Sequence, residues 1–123
     1  MLIKKPTLEE LMGKLTIAKN DYDIQSAILA TIEQNYTDAR SSYYMYKHYY
    51  ELALAEYTRF GGQTYSEKEI EARHKYADSS KNFISAESRY NNQKWIVKKA
   101  ERLYKKLRKL VTKKEEQEQN QPK

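Results

Sequence analysis

The residues with the most chemistry to offer are ten cations crowded into positions 94–114. They are Lys94, Lys98, Lys99, Arg102, Lys105, Lys106, Arg108, Lys109, Lys113 and Lys114, and Glu101 is the single acid among them. Ammonium and guanidinium groups donate hydrogen bonds and accept none, so such a cluster calls for an anion, and a phosphate backbone is the commonest polyanion to meet it. Like charges packed along one helix repel, so the segment weakens its own helix until an anion neutralises it. The charge is local rather than general. The 123-residue chain carries a formal +6, yet residues 1–63 hold seven basic and eight acidic side chains while residues 64–114 hold fifteen and six. A nucleic-acid strand held through its phosphates, with no groove-reading motif, is the expected partner, and all ten cations are the candidate contacts.

Other chemistries find little support. The chain has no cysteine, which excludes disulfides and Cys-based zinc sites, and its two histidines, His48 and His74, are not spaced as a metal-binding pair. Gly61-Gly62 reads as a turn rather than a phosphate loop, and Ser79 and Ser80 have no nearby base. The expectation is a non-catalytic protein without metal or cofactor. Tyrosine is the anomaly, at 12 residues. The run Ser41-Ser42-Tyr43-Tyr44-Met45-Tyr46-Lys47-His48-Tyr49-Tyr50 invites a base-stacking reading, because aromatics beside cations bind unstacked bases. Helical periodicity assigns most of it to packing instead, leaving Tyr44 and Tyr49 outside the apolar face.

The elements that must position these residues are helices. Three glycines and two prolines leave little material for turns, and mean hydropathy is −1.02, too low for a thick globular core. A heptad repeat places Leu8, Leu15, Tyr22, Leu29, Tyr36, Tyr43, Tyr50 and Tyr57 at a, and Leu11, Ala18, Gln25, Ile32, Ala39, Tyr46, Ala53 and Phe60 at d. A second repeat places Glu69, Tyr76, Phe83, Tyr90, Val97, Tyr104 and Val111 at a, and Ala72, Ser79, Ala86, Gln93, Ala100 and Leu107 at d. Thr7-Leu8-Glu9-Glu10 and Ser66-Glu67-Lys68-Glu69 are capping boxes, the second with Tyr65 and Ile70 at its staple positions. The predicted fold is all-α: a single long antiparallel helical hairpin, a coiled coil, over 1–114. It has a helix over 7–60, a turn at 61–65, a helix over 66–114 and a disordered tail at 115–123. Asn20-Asp21-Tyr22-Asp23 is the weakest helical stretch, so a break there with a short extra N-terminal helix is the alternative.

Folding back at residues 61–65 brings Tyr50 to Tyr76, Tyr43 to Phe83, Tyr36 to Tyr90 and Leu29 to Val97. Aromatic half then meets aromatic half, and aliphatic half meets aliphatic half. Ile24, Ile28, Leu54, Ile96, Leu103 and Leu110 fall outside the seam and need cover, from a homo-oligomer or from residues 8–20 folded back as a third helix. Nine of the ten cations fall at b, c, e or f, away from the apolar face. The segment Lys94-Trp95-Ile96-Val97-Lys98-Lys99, followed by Leu103, Tyr104, Leu107, Leu110 and Val111, also resembles a surface-lying membrane helix. Membrane binding is disfavoured because the seam claims those apolar residues. No signal-peptide core follows Met1, so a soluble, cytoplasmic protein is expected.

A long Tyr-rich helix, the break Tyr57-Thr58-Arg59-Phe60-Gly61-Gly62, the restart Ser66-Glu67-Lys68-Glu69-Ile70 and a Lys-rich final helix together resemble the UvsY-like family, the small helical recombination mediators of tailed phages, over about residues 28–111. The resemblance implies oligomeric rings that bind single-stranded DNA and help load a recombinase onto strands covered by single-strand-binding protein, in the cytoplasm of a host cell. The family's type member carries DNA-contacting basic residues just before the turn. Here those positions are Leu54, Ala55 and Glu56, with Lys47 and Arg59 nearby, so a DNA site would have moved to the second helix. The expected function is a single-stranded nucleic-acid-binding accessory protein. The alternative is a helical interaction protein (an inhibitor, anti-defence protein or assembly subunit) that grips an acidic protein.

Overall fold

A computed structural model describes residues 5–59 and 67–120. Two helices account for nearly all of them: α1, Leu8–Arg59, and α2, Glu67–Gln119, with no strand among the described residues. They pack against each other as an all-α helical hairpin. The turn at 61–65, Phe60, Tyr65 and the Ser66 cap lie outside the described residues.

At the start of α1, Thr7 Oγ1 accepts the Glu10 amide at 3.1 Å and the Thr7 carbonyl accepts the Leu11 amide at 3.0 Å, so Thr7 is the N-cap. Glu9 and Glu10 add negative charge to that first turn, where the helix dipole favours it. No break occurs at Asn20–Asp23, and no separate N-terminal helix forms; residues 8–20 are the first turns of α1. The reason is tertiary. Ala18 is buried and Leu15, Tyr22 and Gln25 are half-buried, and the Tyr22 ring lies parallel to Tyr104 at 6.0 Å. Packing on that scale outweighs the weak helix preference of Asn and Asp.

The far end of α2 also departs from expectation. Helix continues past Lys114 to Gln119, and the Asn120 amide closes the last turn on the Glu116 carbonyl at 3.1 Å. Glu and Gln are good helix formers, and a helix already nucleated propagates through them without an apolar face.

The chain divides into two compact units: Met1–Leu29 with Gln93–Lys123, and Ala30–Asn92. The first has an aliphatic core of Leu11, Ala18, Leu107 and Val111, with Leu8, Leu15 and Tyr104 packed against it. It also holds one polar layer. Gln93, 7% exposed, donates from Nε2 to the Gln25 side-chain oxygen at 2.9 Å and to the Gln25 carbonyl at 3.0 Å. Gln25 Nε2 in turn donates to Asp21 at 3.3 Å. The glutamines at d, one in each heptad repeat, are therefore each other's partners.

The second unit is an aromatic ladder whose rungs alternate between helices. Tyr90 stacks on Tyr36 at 5.0 Å, Tyr36 on Phe83 at 5.7 Å and Phe83 on Tyr43 at 5.0 Å. Tyr43 and Tyr50 then both meet the Tyr76 ring edge-on, at 5.7 and 5.2 Å. The pairs Tyr36–Tyr90, Tyr43–Phe83 and Tyr50–Tyr76 are the ones the fold-back register predicts. Between rungs sits buried Ser79, small enough for close approach, its hydroxyl donating to the Tyr76 carbonyl at 2.8 Å.

Candidate nucleic-acid interface

The cationic segment belongs to α2 within the first unit, and its placement follows from what the seam takes. Val97, Ala100, Tyr104, Leu107 and Val111 turn inward, half-buried or buried. What remains for solvent is the opposite face. There the cations form three adjacent columns at heptad spacing: Lys98 and Lys105; Arg102 and Lys109; Lys99, Lys106 and Lys113. Successive members of a column are about 10 Å apart by helix rise.

Of the ten predicted contacts, Lys98, Lys99, Arg102, Lys105, Lys106, Arg108, Lys109 and Lys113 are exposed. Lys94 and Lys114 are half-buried at the seam margin and are the poorest placed for a ligand. Lys105 is paired with Glu101 at 2.6 Å, and that hydrogen bond and its charge hold the ammonium above the ordinary lysine value. The pair is solvent-exposed, so it is weak and salt-sensitive. Arg108 lies over Tyr104 at 5.9 Å, and Lys99 and Arg102 lie over Trp95 at 5.5 and 5.7 Å. A shallow groove beside the columns is lined by Arg102, Lys106, Lys109, Leu110 and Lys113. The surface can hold an extended polyanion along the helix.

Two expectations need correction. Residues 8–20 do not form a third helix over the extra apolar row. Nor does the seam claim every apolar residue of the basic segment: Ile96, Leu103 and Leu110 remain exposed, with Leu103 at 51%. The case against a membrane therefore holds only for the residues that turn inward. The tyrosine run divides largely as the heptad implies, with Tyr43, Tyr46 and Tyr50 half-buried and Tyr44 and Tyr49 exposed. Arg40 lies over the Tyr44 ring at 5.8 Å, and Tyr43 meets Tyr44 edge-on at 5.2 Å. The contacts of Trp95 are new relative to the sequence reading. Their signal was the i, i+4 and i, i+7 spacing of Lys99 and Arg102 from the chain's single tryptophan.

Among the described residues, no group of three His, Asp or Glu side chains converges as a metal site, and no helix is long and apolar enough to cross a membrane. Fold and face together define a helical hairpin that carries a cationic outer surface on its second helix. Comparison with protein-family models, with curated proteins and with solved structures finds no match to this chain.

Proposed function

We propose that the chain is a non-catalytic single-stranded nucleic-acid-binding accessory protein, a mediator of phage-type recombination or replication in the cytoplasm of a host cell. A recombinase or a single-strand-binding protein would be its functional partner. One observation carries the reading: columns of exposed cations on one helix face, with a single acid, Glu101, among them. Fluorescence anisotropy of a labelled single-stranded oligonucleotide, repeated from low to high salt, tests it. Reversing Lys98, Lys105 and Lys109 to Glu should abolish binding while circular dichroism keeps its helical signal. Unchanged affinity in that variant, or no binding at low salt, sinks the proposal.

The reading includes a homo-oligomer. In an antiparallel seam the g positions of both helices flank one side, which gathers exposed Ile28, Ile96, Leu103 and Leu110. Lys99, Lys106 and Lys113 rim that row on α2, and Glu10, Lys14 and Asp21 lie along it on α1. Two-fold pairing would bury the apolar row of each copy against its partner's, with the lysines at the edge of the interface. Leu103→Glu with Leu110→Glu should then reduce the mass measured by light scattering to that of one chain; an unchanged mass refutes this interface. The same apolar row favours, as a second reading, an acidic protein partner. That reading predicts a stoichiometric complex with such a protein and no affinity for oligonucleotides.

A further inference from the structure

Trp95 occupies the f position of its heptad, the point farthest from the seam, and is 51% exposed. A large aromatic there packs no core and helps the helix little, since aromatic residues lose rotamer freedom against the preceding turn. Two cations lie over its ring, Lys99 Nζ at 5.5 Å and Arg102 Cζ at 5.7 Å from the centroid. Arg102 and Lys109 continue the same f column, and Lys98 and Lys99 flank it. A flat π surface thus stands inside the cationic face, within about one side-chain length of groups suited to phosphate.

We propose that Trp95 is the stacking platform for one unpaired base, so that this face prefers single-stranded over duplex nucleic acid. The inference rests on the nucleic-acid reading above and adds the chemistry that selects the strand. A base approaching the ring displaces a cation from it, and that cation moves to the adjacent phosphate, where it gains a charge-assisted hydrogen bond. Stacking suits any base, because every base has a π face, so no sequence preference follows. Duplex DNA presents the same phosphates but keeps its bases stacked on one another. It therefore meets the lysines and not the ring.

Because Trp95 is the only tryptophan, its emission reports this one site. The full chain is titrated at low salt with 20-nucleotide oligo-dT and with a duplex of equal length, following tryptophan emission and the anisotropy of labelled nucleic acid together. Oligo-dT should quench the emission and bind more tightly than duplex, which should leave the emission nearly unchanged. Trp95→Leu keeps apolar bulk but removes the π face. It should weaken oligo-dT binding about tenfold, in the range that loss of one stacking aromatic gives, with duplex binding and the salt slope unaltered. Oligo-dT binding with unchanged emission, or equal affinity in Trp95→Leu, overturns the stacking role while leaving the phosphate reading intact. No binding of either nucleic acid overturns both. A blue shift with phosphatidylserine vesicles where oligo-dT gives no change assigns the face to a lipid surface and likewise refutes the proposal.

Discussion

Replacing the Gln25–Gln93 layer by leucine should make the protein more stable and less particular about its register. Gln93 is nearly buried, and its amide makes two neutral hydrogen bonds, at 2.9 and 3.0 Å, both to Gln25. Such bonds contribute roughly 0.5–1.5 kcal/mol each, net of the water they replace. Gln93→Leu alone loses both bonds and leaves the half-buried Gln25 oxygen facing methyl groups. Burial of the leucine offsets most of that, so a cost of about 0–1 kcal/mol is expected. In the double variant both sites are apolar, and full burial of a leucine is worth at most about 1.5–3 kcal/mol. Gln25 is only half-buried, so the expected net gain is about 1–3 kcal/mol, and the two substitutions should couple by about 1 kcal/mol or more. Urea unfolding followed by circular dichroism measures the whole cycle, and a gain of 1 kcal/mol corresponds to roughly 3–5 °C in Tm. Sedimentation supplies the second readout. Removal of a buried polar layer takes away a penalty on shifted or alternative pairings, so the Leu/Leu protein should populate more assemblies than the parent. A double variant less stable than the parent, or more stable yet with no more assemblies than the parent, would refute the view that the pair specifies register at a cost in stability.

Other consequences are simpler to check. Gly13 lies on the exposed side of α1, with nothing within 4 Å of a Cβ built on it, so Gly13→Ala should stabilise by about 0.5–1 kcal/mol in the same urea assay. Glu101→Gln frees Lys105 and removes the one acid of the basic segment, so it should tighten oligonucleotide binding. It should also steepen log K against log salt by about 0.7, one more phosphate contact. A hydrogen bond with Tyr43, and then burial, raise Tyr76 above its ordinary 10.0, so the neutral phenol is the form the fold favours. That contribution is complete below pH 10, declines as pH rises through the ordinary value, and is lost above the raised one. Helix content should therefore begin to fall near pH 10, and Tyr76→Phe should blunt the fall in an alkaline titration by circular dichroism.

What the sequence determined by itself is the seam. A 3.5-residue repeat leaves one stripe able to face a partner helix. All fourteen a and d residues of α1 from Leu8 to Ala53, and all thirteen of α2 from Glu69 to Val111, are buried or half-buried. Register was legible too, because a fold-back at 61–65 matches aromatic half to aromatic half; Tyr36–Tyr90 and Tyr43–Phe83 follow from it. The cationic face was legible as the remainder of the same pattern. Only tertiary structure decided the rest. Helix through Asn20–Asp23 depends on the packing of Ala18 and Tyr22, which local propensity does not contain. Gln25 and Gln93 stand 68 residues apart, and their pairing exists only once the register does. Periodicity says which residues lie outside a seam, but not whether anything covers them. Ile96, Leu103 and Leu110 are exposed because a two-helix seam has no third element to lay across its g side, and Trp95 is exposed because f points away from the seam altogether.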